Sequence, residues 1–431
     1  MSDTPTPHRL RAWILTEPTQ PEATIWGLST AERLRRALLA SGLLPTQIDV
    51  GPATTISGQE DFYVLIRSGY VFDDRVVRSL VTTPDTILMK DGKVVATHVH
   101  QSRCQDIIPL LSAPTATSLA SLQLPGLQTV TPLELAPAYT SALRKADPPY
   151  VLPASSSNVA DIEARIFAAS YKGVTDLVTK WVWPKPARVV TRWLAYVGVS
   201  PNVVTLLSWV LVVLAAWLFA RGEFGLGLVA AWVMTFLDTV DGKLARVTLT
   251  SSRVGHVLDH GLDLVHPPFW YLAWAIGLPD ALFLIETSPM ELTWDVTSLG
   301  NLPWLDLSVF IIVTGYIIGR LIEGLFLLLF KIEIHCWQPV DSFFRTITAR
   351  RNPNMLLLTA GLLVGYPDYG FLWVAVWTAC CIGFHTVRLA QACIHRFQGK
   401  TVQEWQKNLL ASFDMSGTAL FNVPNRPGNS G

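Results

Sequence analysis

The chain has 431 residues, half of them hydrophobic and only 15% charged, with a formal net charge of zero and a positive mean hydropathy. That length exceeds one ordinary soluble core and accommodates two domains. The apolar excess points to membrane segments, and without a global basic field no nucleic-acid partner is expected.

In chain order, the polar start from Met1 to Thr6 lacks the apolar stretch of a secretory signal, so the N-terminus is expected in the cytosol. Residues 1–150 read as a soluble α/β domain. The short apolar runs 12–15 and 62–66 suit buried strands, and residues 29–39 suit a capped amphipathic helix ending near Gly42. Asp91-Gly92 between two β-rich stretches predicts a hairpin turn. A Pro- and Ser-rich linker follows at 147–157. From about 160 to 193, Tyr171, Trp181, Trp183 and Trp193 mix with Lys172, Lys180, Lys185, Arg188 and Arg192. Aromatic and cationic residues together suit the headgroup zone, so 151–200 is read as linker plus interfacial amphipathic helix.

Six apolar stretches then occur, at 203–220, 224–241, 255–279, 307–330, 354–367 and 370–394. Each is long enough to cross, or nearly cross, a bilayer, the fifth being the shortest. Lysines and arginines concentrate in alternate loops: Lys243, Arg246 and Arg253 in one, Lys331, Arg345, Arg350 and Arg351 in another, and Arg396, Lys400 and Lys407 after the last span. The intervening loops hold Arg221 and otherwise no cation. This bias predicts six spans over 201–400 with both termini cytosolic. In a bacterium the protein would lie in the inner membrane. Residues 401–431 read as a partly disordered cytosolic tail. The five cysteines have neither CxxC nor Cys/His ligand spacing and read as packing residues.

Chemistry concentrates at the junction of the second and third spans. There the sequence reads Asp238-x2-Asp241-Gly242-x2-Ala245-Arg246-x8-Gly255-x3-Asp259-x3-Asp263. At about 100° per residue, Asp238, Asp241, Gly242, Ala245 and Arg246 share one helical face, and Gly255, Asp259 and Asp263 share a narrower one. Four carboxylates at that depth are costly unless neutralised, and hard oxygen donors favour Mg²⁺ or Mn²⁺, two ions balancing four acids. Gly242, Ala245 and Gly255 clear side chains from those faces, for a ligand or for a neighbouring helix. A calcium-binding EF-hand loop is excluded, because its first, third and last ligand positions would be Leu237, Thr239 and Thr248.

This pattern resembles the CDP-alcohol phosphatidyltransferase signature in all eight of its residues, and the resemblance extends over roughly 160–400. It implies that Asp238, Asp241 and Asp259 ligate metal. Asp263 would complete a second metal site and act as general base. Arg246 would steady the departing CMP phosphate, with Gly242, Ala245 and Gly255 lining the cytidine site and Asp241 and Arg246 among the CDP-binding residues. It further implies a CDP-alcohol donor, a hydroxyl acceptor and a homodimer in the bilayer.

Pro201-Asn202-Val203-Val204-Thr205 is either a plain helix start or, as in family members, places Asn202 and Thr205 on CDP. Arg320 and Glu323 are either an intrahelical pair or a cavity-facing acceptor contact. Arg345, Arg350 and Arg351 belong to the positive-inside bias or hold an acceptor phosphate. His266 lies near the carboxylate face and is a candidate acceptor contact, whereas His260 points away. The N-terminal domain faintly resembles the nucleotidyltransferase domains fused to some family members. In place of their phosphate loop stands Thr16-Glu17-Pro18-Thr19-Gln20-Pro21, and Arg67-Ser68-Gly69 replaces their metal-binding aspartate, so a non-catalytic domain is expected. The competing readings are a transporter using the acids as a cation site and a silent membrane anchor.

Overall fold

A computed structural model describes residues 9–16, 23–53, 56, 60–112, 126–251, 253–278 and 304–407; for 253–260, 262 and 263 it describes the backbone alone. The N-terminal α/β region begins with β1 (Leu10–Leu15), β2 (Thr24–Ile25), β3 (Leu28–Ser29) and α1 (Thr30–Ala40). It continues through β4 (Ile48–Gly51), β5 (Phe62–Arg67), β6 (Tyr70–Phe72), α2 (Asp74–Thr82), β7 (Thr86–Lys90) and β8 (Lys93–His100). Then come α3 (Cys104–Ser112), β9 (Gln128–Val130), α4 (Pro132–Leu135), β10 (Tyr139–Thr140), β11 (Lys145–Ala146) and β12 (Val151–Pro153).

Six strands form one mixed sheet in the order β4-β1-β5-β8-β7-β9. β1 runs parallel to β4 and β5, with Ala12 opposite Ile48 and Val64, while β5 and β7 pair antiparallel with β8. The apolar runs at 12–15 and 62–66 are thus its two buried central strands, Ile14 and Ile66 being fully enclosed. Ser29 caps α1 as expected, its hydroxyl accepting from the Glu32 amide. Asp91 and Gly92 both take positive φ (51° and 75°) and close the β7–β8 hairpin.

The expected interfacial stretch divides into α5 (Val159–Ala169), a π-helical turn at Val178–Val182 and α6 (Pro184–Val197). It breaks because Gly173 passes so close to the Arg144 carbonyl that a Cβ would lie 2.5 Å from it, and because Pro184 can open a helix but not continue one. α5 is half-buried, with Glu163 only 1% exposed. α6 presents Val189, Trp193 and Val197 outward at i, i+4, i+8. That stripe gives α6 an exposed apolar face along one side.

Helices follow in all six apolar stretches: α7 (Pro201–Ala220), α8 (Phe224–Val247), α9 (Arg253–Gly277), α10 (Trp304–Phe330), then, after the short α11 (Pro339–Ile347), α12 (Arg351–Leu363) and α13 (Pro367–Phe397). Among the described residues, α7, α8, α10 and α13 are long and apolar enough to cross a membrane. The fifth stretch is realised as α12, only 13 residues. At 1.5 Å per residue it reaches about 20 Å, short of the roughly 30 Å hydrocarbon core.

Small residues set the helix crossings. A Cβ on Gly277 would collide with the Phe219 carbonyl and lie 2.9 Å from the Gly222 amide, so α9 touches the α7–α8 turn through backbone. Gly277→Ala is therefore expected to cost about 1–3 kcal/mol, read as a lower thermal midpoint in detergent. Gly383→Ala in α13, where a Cβ would meet nothing within 4 Å, should leave the midpoint unchanged or higher.

Candidate active site

The helix α8 has two faces with different jobs. Val240, Leu244 and Val247 are fully buried in a cluster that also holds Trp26, Val71, Ile162 and Ile166 from the N-terminal region and α5. On the other face, about two and a half turns of helix carry Asp238, Asp241, Gly242, Ala245 and Arg246. The rear packing thus fixes which way the acids point.

Asp241 is 4% exposed, and its Oδ2 accepts a 2.5 Å hydrogen bond from the Thr205 hydroxyl in the first turns of α7. Thr205 is therefore part of the acid site, whereas Asn202 is exposed at the helix start. Asp238 receives the Arg351 guanidinium at 2.5 Å, with both side chains largely shielded. The Arg246 guanidinium lies over Gly242: a Cβ there would come within 3.1 Å of it. This glycine leaves room for the arginine to lie close beside the acids; a Cβ there would press on the guanidinium.

Gly255, Asp259 and Asp263 fall on the α9 backbone, and their side chains lie outside the described residues. Among the described residues no three His, Cys, Asp or Glu gather as a metal site. Asp238 and Asp241 nonetheless fit a hard divalent cation: both are shielded carboxylates one turn apart, and a cationic guanidinium already sits against one of them.

A second polar site adjoins. A cleft is lined by Tyr271 of α9, Tyr316, Arg320 and Glu323 of α10, Arg350 and Asn354 around the start of α12, and His385 of α13. Glu323 binds Arg350 at 2.5 Å, Arg320 at 3.3 Å and His335 Nε2 at 3.2 Å. Arg320 thus pairs with Glu323 within the helix and also lines the cleft. Burial holds the His335 imidazole well below the usual histidine range, so it stays neutral at pH 7. Two guanidiniums against one carboxylate leave the cleft one net positive charge. Asn354 donates to the Tyr271 hydroxyl at 2.8 Å, while its buried Oδ1 and His385 Nε2 have no hydrogen-bond partner among the described residues. A hydroxyl, which both donates and accepts, can meet groups of this kind.

The remaining candidates sit elsewhere. Arg351 is turned to Asp238, Arg345 is buried near the charges of Arg350 and Asp176, and His266 packs its ring against Trp270 at 4.7 Å. Sequence reasoning named Glu323 only as a partner of Arg320 and missed Asn354, Tyr271 and Tyr316; their common signal, polar side chains inside apolar stretches, was present.

Residues 198–344 match the CDP-alcohol phosphatidyltransferase family. This stretch is a CDP-alcohol phosphatidyltransferase domain. It contains Thr205, the whole aspartate pattern, Arg320 and Glu323, and ends just before Arg345, Arg350 and Arg351. The chain is 43% identical over 82 residues to a phosphatidylinositol phosphate synthase of Streptomyces avermitilis, covering 18% of this chain and 34% of that protein. It is 34% identical over 117 residues to an archaetidylinositol phosphate synthase of Pyrococcus horikoshii (27% and 55%). It is also 30% identical over 161 residues to cholinephosphotransferase 1 of Gallus gallus (31% and 44%). The chain thus spans from a third to just over half the length of these relatives. With its long apolar helices, a CDP-alcohol phosphatidyltransferase domain makes this an integral membrane protein.

Proposed function

We propose that the chain is a metal-dependent CDP-alcohol phosphotransferase that joins a substituted phosphate to an acceptor hydroxyl and releases CMP. The observation that carries this reading is the shielded Asp238/Asp241 pair, held by Arg351 and Thr205, beside Arg246 and the bare Gly242 face. Such acids have no packing value and would cost stability if idle. Asp238, Asp241, Asp259 and Asp263 would hold two divalent ions. When bound, these ions neutralise the diphosphate and make the acceptor hydroxyl more acidic.

The chain's own residues do the rest by positioning. Gly242, Ala245, Arg246 and Gly255 seat the cytidine half, with Thr205 keeping Asp241 aimed. Asp263 takes the acceptor proton as the acceptor oxygen bonds to the β-phosphorus. The bond from that phosphorus to the CMP oxygen breaks, and Arg246 balances the charge that CMP carries away. The acceptor occupies the Arg320–Glu323–Arg350 cleft. Its net positive charge and unfilled acceptors favour a hydroxylated, negatively charged acceptor such as a phosphorylated polyol, with a lipid-linked CDP-alcohol as donor.

In this reading α7 to α10, α12 and α13 are six spans, both termini face the cytosol, and the protein pairs as a homodimer in the inner membrane of a bacterium. The N-terminal region is a non-catalytic relative of nucleotidyltransferases. Arg67 ends β5 where their metal-binding acid would stand, while residues 17–21 of the replaced phosphate loop lie outside the described residues. To test the function, the purified chain is incubated with Mg²⁺, CDP-diacylglycerol and a pool of polar alcohols. A new phosphodiester found by mass, with equimolar CMP, is the expected result. No product from any donor would sink the reading and leave a cation transporter or anchor.

A further inference from the structure

The N-terminal region reaches the acid-bearing helix at its end. α8 closes in a Schellman turn: the Thr250 amide donates to Ala245 O at 2.9 Å and the Leu249 amide to Arg246 O at 3.4 Å. The Thr248 amide and hydroxyl both serve Leu244 O. Two carbonyls beyond these are served from the other end of the chain. Arg33 Nη1 donates to Val247 O at 2.6 Å, and Arg36 Nη1 donates to Thr248 O at 2.8 Å. Two cations at a helix C-terminus also complement its dipole.

The residue in the left-handed position of this turn is Leu249, with φ of 55°. Glycine is the usual occupant, because a Cβ there is strained. Leucine is explained by where its side chain goes. Leu249 packs on the N-terminal core and lines a notch with Arg33, Leu34, Ala37, Tyr70 and Phe72. On the rear of α8, Lys243 is 3% exposed, lies 3.5 Å from the centre of the Tyr171 ring and donates to Ser170 O. The end of the aspartate helix is therefore gripped from two sides.

We propose that the N-terminal region is a positioning clamp: Arg33, Arg36 and the Leu249 socket fix the turn at 247–250. That turn joins Asp238/Asp241 on α8 to Asp259/Asp263 on α9, so holding it sets the offset between the two halves of the acid site. The inference rests on the reading of those acids as the reacting centre. Arg33, Arg36 and Leu249 act through the helices and not on substrate.

The test uses the full chain carrying Arg36→Gln, Arg33→Gln with Arg36→Gln, or Leu249→Gly. Leu249→Gly relieves the left-handed strain and keeps both turn hydrogen bonds, so a role confined to the turn predicts equal or slower amide exchange there. The clamp predicts amide exchange at 248–251 at least about tenfold faster, with the middle of α8 unchanged. It also predicts kcat down by about tenfold to a hundredfold, a higher Mg²⁺ concentration for half-maximal rate, and recovery in Arg36→Lys. Should the double variant fail to fold, Arg36→Gln and Leu249→Gly decide alone. Unchanged exchange overturns the clamp, as does faster exchange with kcat and Mg²⁺ dependence within twofold of the parent. If the unsubstituted chain releases no CMP from any donor, the enzymatic reading fails, and exchange alone still decides whether the clamp holds the turn.

Discussion

Asp241→Asn is expected to lower CMP release about 10³-fold at saturating donor, a loss of about 4 kcal/mol of transition-state stabilisation. The substitution removes one negative charge and almost no volume. Asparagine Oδ1 can still accept from the Thr205 hydroxyl that now meets the carboxylate at 2.5 Å, so the helices should stay packed. Unchanged helical circular dichroism and elution volume, alongside the lost rate, would assign the effect to chemistry. Retention of rate would make Asp241 a buried packing acid satisfied by its threonine, and the proposed centre would have to move.

The second large effect is expected at the cleft. Arg350→Gln should raise the acceptor KM about tenfold to a hundredfold, the value of one charge-assisted hydrogen bond of about 1.5–3 kcal/mol, and leave the donor KM within twofold. Arg350 lines the cleft and shares Glu323 with Arg320 and His335. Without it, one guanidinium faces one carboxylate and the cleft loses its net positive charge. Arg351 gives the contrast. It belongs to Asp238, so Arg351→Gln should move kcat and metal dependence and spare the acceptor KM. If both variants shift the same constant, the cleft and the acid centre are not separate subsites.

The sequence carried more of the acid site than of its surroundings, for a physical reason. Asp238, Asp241, Gly242, Ala245 and Arg246 lie within nine residues of one helix, and helical periodicity alone places them on one face. Thr205 was legible as a helix start, but its bond to Asp241 crosses 36 residues and depends on how α7 meets α8. The division of the arginine cluster was hidden more deeply. Arg350 and Arg351 are adjacent in sequence yet serve different acids, because Arg350 precedes the helix in extended backbone while Arg351 begins it. No periodicity covers that boundary.

The N-terminal strands, helix and hairpin followed from short apolar runs, capping and the Asp-Gly turn. The use of that region did not. Arg33 meets Val247 across 214 residues, and nothing about an arginine on an amphipathic helix distinguishes a solvated charge from a helix cap. Leu249 offers no cue at all, since only the observed φ marks it as the wrong residue for its turn. The fifth apolar stretch shows the opposite limit. Its apolar run continued to Pro367, but the helix stops at Leu363, with Gly365 at φ 83° turning the chain back within four residues.

Release of CMP from radiolabelled CDP-diacylglycerol by the purified chain in Mg²⁺, compared with Asp263→Asn, tests the central claim most directly. The account predicts CMP in step with a new phosphodiester for the parent chain, and at least about a hundredfold less for the variant, which keeps the donor site but lacks the proposed base. Equal CMP release by parent and variant, or none by either with any donor, would contradict it.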